Sequence, residues 1–165
     1  MKNFILTVMA VVLTIVTLGT VCIFGAEEGH VLTRGINSYS YATVTDLQKV
    51  TKGTRLYGYE EKIIEVERKY QVNAFFILAV ANVETGMGCA GVGSSRNNCF
   101  GMKGGSGFRY FDNPGQSVEA FGELISRKYF GNGRYTAYSI GQWYCDTYWA
   151  TKVTNEIDRL YYKMQ

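Results

Sequence analysis

Apolar and polar positions alternate along this chain with several distinct periods. From Phe4 to Phe24 the run carries no charge and no polar stripe, with Lys2 before it and Glu27 and Glu28 after it. It is long enough to cross a bilayer as a helix and longer than the usual core of a cleavable leader. The flanking charges keep Lys2 inside and send the rest outward. An uncleaved anchor over residues 1–25 is therefore the first reading. A cut after Gly25 or Ala26 is the alternative, although Phe24 fits the small-residue rule at such a site poorly. Residues 26–54 are polar, rich in Gly, Ser and Thr and weakly periodic. They read as a linker with local structure at most, ahead of a domain over 55–165.

Within that domain Tyr59, Ile63, Val66 and Tyr70 recur at helical spacing, with Glu60, Glu61, Lys62, Glu67 and Arg68 on the other faces. Asn73 is placed to cap the next helix. Its interior, Ala74 to Val83, is apolar nearly all round, which predicts a helix in the middle of the core. It ends at Glu84-Thr85-Gly86, where glycine lets the chain leave the helix. From Gly86 to Gly107 glycine recurs among Ser94, Ser95, Asn97 and Asn98, predicting a long loop or small irregular lobe. Asn113-Pro114-Gly115-Gln116 reads as a helix start, with a cap, proline at the first position and glutamine at the third. Val118, Phe121, Leu124, Ile125 and Tyr129 supply its buried stripe, and Gly131-Asn132-Gly133 stops it. Trp149, Val153, Ile157 and Leu160 mark a last helix. No strand series emerges, so the predicted class is mainly α.

Composition narrows the chemistry. The chain has 165 residues, one histidine and a net charge of +3. His30 lies in the polar stretch, so a histidine-based zinc site or a Ser-His or Cys-His hydrolase would have to recruit it from a tail. No basic run marks a nucleic-acid partner. Nothing calls for a metal, nucleotide or other cofactor, and a monomer is expected. Cys89, Cys99 and Cys145 lie beyond the anchor, where an oxidising compartment permits one pair, and their spacing does not choose it. Carboxylates are left as the groups for hydrolytic work. Glu84 stands out among them. It closes the most apolar helix, with Val80 four residues and Ile77 seven residues before it. Loss of hydration and the negative end of the helix dipole both raise a carboxyl pKa. A carboxylic acid kept protonated near neutrality can protonate a glycosidic oxygen. The plainer reading is a helix-ending glutamate that reaches water.

Several blocks then carry a resemblance. Tyr70-Gln71-Val72-Asn73, Phe76-Ile77-Leu78-Ala79, Glu84-Thr85-Gly86-Met87-Gly88 and Asn97-Asn98-Cys99-Phe100-Gly101-Met102-Lys103-Gly104 come in order. Phe108-Arg109-Tyr110-Phe111-Asp112, Ser117 and Trp143-Tyr144-Cys145 to Trp149-Ala150 follow. Over residues 57–162 the chain resembles the bacterial glucosaminidases of glycoside hydrolase family 73. Two blocks are specific to that family: a helix ending in Glu-Ser/Thr-Gly-x-Gly, and Asn-Asn-x-Phe-Gly-Ile/Met/Val-Lys. The resemblance implies a lysozyme-like α domain with a short irregular glycine-rich lobe. It also implies an endo-β-N-acetylglucosaminidase of bacterial peptidoglycan, secreted to the cell wall or held at the outer face of the cytoplasmic membrane. Glu84 corresponds to the catalytic acid. Asn97, Asn98, Phe100 and Gly101 correspond to the motif that shapes the cleft floor. Tyr144 best matches the cleft tyrosine, with Trp143 the competing alignment. Each of these also has a plainer reading, as a turn, core packing or surface.

The chain departs from the family in one respect. Many members offer a second acidic residue in a longer lobe, whereas Gly104 to Tyr110 contains none. The nearest carboxylates are Asp112, which also reads as part of a turn, and Glu119, which also reads as the solvated face of a helix. Nucleophilic assistance by the 2-acetamido group of the substrate is the way for one acid to suffice. The rivals are a lytic transglycosylase or muramidase on the same polymer, and a membrane-tethered protein that binds cell wall without cutting it. The Phe100-Gly101-Met102-Lys103 block departs from the Gly-Leu-Met-Gln block typical of transglycosylases.

Overall fold

The computed structural model describes residues 35–165. The apolar run Phe4–Phe24, with its anchor reading, and His30 lie outside the described residues. The described chain is mainly helical. Its elements are α1 (Val44–Thr51), α2 (Glu60–Tyr70), α3 (Ala74–Thr85), α4 (Gly91–Arg96), β1 (Lys103–Gly104), β2 (Gly107–Phe108), α5 (Pro114–Leu124), α6 (Ala137–Tyr144) and α7 (Thr147–Met164).

Helix α3 is the axis of the fold. Every residue from Ala74 to Ala81 is buried, so it has no solvent face until its last turn, in keeping with an apolar sequence that lacks a polar stripe. The Asn73 side chain accepts from the Phe75 and Phe76 N–H groups, as the capping signal predicts. Helix α7 packs most extensively against α3 through the predicted stripe of Trp149, Val153, Ile157 and Leu160, all buried. Helix α5 crosses α2, and Gly122 makes the approach close: a methyl there would run into Val66 and stand 2.9 Å from the Tyr70 ring. Phe76, Phe121 and Phe100 stack in series, the last two 4.1 Å apart and nearly parallel, a ring arrangement that adds to burial.

Three features go beyond the sequence pattern. Residues 44–51, expected to carry local structure at most, form helix α1, and Leu47 and Val50 sit in the same core as Ile36. Eight residues are too few for a stable isolated helix. Burial of each such side chain contributes roughly 1.5–3 kcal/mol, and Thr43 and Asp46 close a capping box at the start. A short helix, α4, interrupts the glycine-rich stretch, and β1 and β2 pair antiparallel with Gly104 opposite Gly107. Finally, α5 runs on into a π-helical turn, Ile125–Tyr129. The extra residue in that turn keeps Ile125 and Tyr129 buried while Lys128 turns outward. Such turns are frequent at functional sites.

Candidate active site

Glu84 lies in the last turn of α3. Gly86, left-handed at φ +58°, caps the helix there and donates back to the Ala81 and Asn82 carbonyls. Thr85 fixes this end: its hydroxyl donates to the Cys99 carbonyl at 2.7 Å and accepts the Gly88 N–H at 3.0 Å. Gly93 of α4 presses onto the same place, where a methyl would lie 2.8 Å from Thr85 Cβ. The helix end and the Asn97–Cys99 segment are thereby joined.

The Asn-Asn block frames the loop from behind. Asn98 is fully buried. Its amide donates to the Met102 and Arg109 carbonyls and its oxygen accepts the Met102 N–H at 2.9 Å. Asn97, in the left-handed region at φ +51°, donates to the Phe111 and Asp112 carbonyls. Neither side chain lines the cleft in front of Glu84. Phe100 packs its ring in the core, and its carbonyl accepts the Tyr144 hydroxyl at 3.2 Å. Gly101 follows at φ +60°, its backbone so near the acid that an added methyl would stand 3.5 Å from Glu84 Oε2.

The result is an open cleft of about 450 Å³ lined by Glu84, Phe100, Gly101, Tyr129, Trp143 and Tyr144, together with basic residues. Both aromatic candidates therefore line it: Tyr144 as a half-buried wall and Trp143 as a ring 54 % exposed. Trp149, which the sequence places in the buried stripe and in the C-terminal block of the resemblance, takes a further part that neither assigns. Its indole N–H donates to Glu84 Oε1 at 2.8 Å, and its ring lies 4.7 Å from that of Tyr144. The stripe spacing explains the burial of Trp149, but no spacing rule points its nitrogen at an acid on another helix.

Burial raises the Glu84 pKa above its ordinary value, and the Trp149 hydrogen bond and the Lys152 charge only partly offset it. Burial likewise pushes the Tyr144 phenol upward, with the Glu84 charge adding to the shift, so Tyr144 acts as a neutral hydrogen-bonding wall. Among the described residues Glu84 is the one carboxyl that lines this cleft. Asp112 is exposed at the start of α5 and accepts from Gln116 at 3.0 Å. Glu119 pairs with Lys69 at 2.6 Å and accepts the Tyr70 hydroxyl. Burial raises the Glu119 pKa, but those two hydrogen bonds outweigh it and hold the carboxyl low. Two wider grooves, each about 590 Å³, run along α1 and α2. The Glu84 cleft is assigned by its chemistry and not by size. Cys89, Cys99 and Cys145 are free thiols.

The family model described as mannosyl-glycoprotein endo-beta-N-acetylglucosaminidase matches residues 60–162. Among solved structures, S. aureus autolysin E in complex with the muropeptide NAM-L-Ala-D-iGlu superposes with a TM-score of 0.69 at 20 % identity. The match covers 78 % of this chain and 71 % of that one. A catalytic mutant of autolysin E in complex with the disaccharide NAG-NAM gives 0.63, with the same identity and coverage. Autolysin E alone gives 0.67 at 20 % identity, over 78 % of this chain and 70 % of that one. The shared fold is that of these enzymes. No curated protein matches the chain by sequence.

Proposed function

Because the chain belongs to the glucosaminidase family, we propose that it is a peptidoglycan hydrolase, an endo-β-N-acetylglucosaminidase that uses Glu84 as its general acid. One observation carries this reading: a half-buried carboxyl, raised in pKa by burial, is the one acid among the described residues lining a cleft walled by aromatic rings. Aromatic faces suit the apolar faces of sugar rings, and muropeptide and NAG-NAM are what the superposed autolysin E structures contain.

In this mechanism protonated Glu84 gives its proton to the oxygen linking N-acetylglucosamine to the next sugar. The C1–O bond breaks and the leaving sugar departs with a free hydroxyl. The carbonyl oxygen of the 2-acetamido group on the same N-acetylglucosamine attacks C1 and forms a cyclic oxazolinium. Glu84, now a carboxylate, takes a proton from water, whose oxygen opens the ring at C1 and restores the acetamide. The scheme needs one protein carboxyl, which suits a cleft where Asp112 and Glu119 do not reach. Trp149 holds Glu84 in place, and Gly101 leaves room beside it. A thiazoline analogue of the oxazolinium is expected to inhibit; an active enzyme that it fails to bind would remove the acetamido step.

The polymer lies outside the cytoplasmic membrane, so the protein works exported. The run Phe4–Phe24 would serve as a single-pass anchor holding the domain on the outer face of the cytoplasmic membrane. A monomer suffices, since one chain supplies the whole cleft. The test is to digest purified Gram-positive peptidoglycan, reduce the products with borohydride and identify the new ends by mass spectrometry. Reduced N-acetylglucosamine ends are expected. Muramic or anhydro-muramic ends would keep the acid and reassign the bond. No new ends from folded protein would leave a wall-binding protein in its place.

A further inference from the structure

The cleft carries more positive charge than a neutral glycan requires. Lys103 on β1, Arg109 just after β2 and Lys128 in the π-helical turn all line it beside Glu84. A second cavity of about 260 Å³ opens next to it and shares Arg109, Leu124 and Lys128, so the two form one groove leading away from the acid. Among the described residues none of these three cations is in an ion pair. Each lies instead near an aromatic ring: Lys103 over Phe108 at 5.7 Å, Arg109 over Phe111 at 4.8 Å and Lys128 over Tyr129 at 5.5 Å. Arg127, in the same extension, differs, because Glu123 neutralises it at 2.8 Å. Three cations without an ion pair among the described residues, one on β1, one just after β2 and one in the π-helical turn, converge on this groove, and with Glu123 spent on Arg127 they make a field that selects a negatively charged ligand.

We propose that this basic extension is a subsite for the carboxylates of the stem peptide carried by the glycan, so that the enzyme prefers peptide-bearing strands over bare ones. This rests on the reading that the cleft binds peptidoglycan. The sugars of the strand are uncharged when the lactyl group is joined to a peptide, and the peptide's carboxylates are then the anions nearest the scissile bond. Arg109 presents a planar fork suited to a carboxylate, while Lys103 and Lys128 act as point charges on either side. The charges also speed encounter with the wall and lose strength as salt rises.

The test uses the full chain and three substrates: intact wall, wall stripped of its anionic polymers by hydrofluoric acid, and soluble glycan freed of stem peptides by an amidase and capped as methyl amides at the lactyl carboxyls so exposed. Binding by cosedimentation with the two insoluble walls and release of reducing ends from all three substrates are measured separately. The double variant Arg109→Gln with Lys128→Gln is compared with the charge-keeping pair Arg109→Lys with Lys128→Arg, each checked for an unchanged melting temperature. The expected result is a loss of about 10-fold in binding and in kcat/KM on both peptide-bearing substrates, for the glutamine pair. On peptide-free glycan the loss for that pair should be clearly smaller than on the peptide-bearing substrates, and the charge-keeping pair should stay close to wild type throughout. Equal loss on peptide-free glycan, or no loss on any substrate, would overturn the proposal. So would a loss confined to wall that still carries its anionic polymers. Peptide-dependent binding in a chain that releases no ends would sustain this subsite while removing the hydrolase reading.

Discussion

Helix α3 meets a carboxyl group at each end, and the two are treated in opposite ways. At its start Glu67, from α2, is almost fully buried. It accepts from the Ser40 N–H at 2.7 Å, the Ser40 hydroxyl at 2.9 Å and the Ala74 N–H at 2.9 Å. Those donors, and the positive end of the helix dipole, make it a fixed part of the framework. At the other end Glu84 is only half-buried, yet it has a single side-chain donor, the Trp149 indole, and it faces a cleft. One carboxylate is saturated and structural; the other is under-supplied and open to a ligand. If Glu84 is the acid proposed above, burial alone does not mark a catalytic carboxyl. What marks it is burial with too few donors, next to space.

The sharpest way to break that contrast is to neutralise each acid in turn. Glu84→Gln should lower kcat by about 100-fold or more on cell wall, the loss expected when a general acid is removed. Its effect on stability should have the opposite sign. A carboxyl whose pKa is higher in the folded state adds stability below its unfolded value and loses that contribution as pH rises through the folded one. Glu84→Gln should therefore melt at a higher temperature than wild type above that pH and at a similar one in acid, as calorimetry over a pH series will show. Glu67→Ala is its mirror. It strands buried N–H groups of Ser40 and Ala74, which should cost about 2 kcal/mol by denaturant unfolding, while the folded fraction keeps its kcat.

Smaller changes probe the Glu84 end of the helix. Trp149→Phe removes the hydrogen bond that lowers the acid's pKa. The alkaline limb of the kcat/KM profile should move to higher pH, with a fall of about 10-fold at the optimum from looser positioning. A drop in melting temperature without movement of the limb would make Trp149 a packing residue only. Gly101→Ala forces an L-residue into the left-handed region and sets a methyl beside Glu84 Oε2. It should cost about 1 kcal/mol of stability and leave a measurable, few-fold deficit in kcat.

Much of the framework is readable from the chain. The all-apolar Ala74–Val83 run, the Asn73 cap and the Gly86 stop place α3 and put Glu84 at its end. The Asn113-Pro114 start places α5, and the Trp149 stripe places α7. These are local signals, repeated at one period or fixed by one cap. Helix α1 escapes such reading because a short helix with two core residues has almost no period, although Thr43 and Asp46 do form a cap. The π-helical turn escapes because it leaves the stripe of α5 nearly unchanged and shows itself only in where Lys128 points. The site itself is legible only in part. Glu84, Phe100, Gly101 and Tyr144 line the cleft, while Asn97 and Asn98 spend their hydrogen bonds on the loop behind it. The Trp149 donor and the convergence of Lys103, Arg109 and Lys128 depend on which elements meet across the fold. No spacing along one helix encodes that.

The proposed mechanism requires Glu84 to be protonated when it meets the substrate. Its ionisation can be followed at the side-chain carboxyl carbon by NMR as a function of pH, alongside the pH dependence of kcat/KM. Glu84 is expected to titrate above the ordinary glutamate value of 4.5, and activity to fall with rising pH at the same midpoint, since kcat/KM reports ionisations of the free enzyme. A Glu84 that titrates at or below that value, with activity persisting above it, would contradict the assignment of Glu84 as the proton donor.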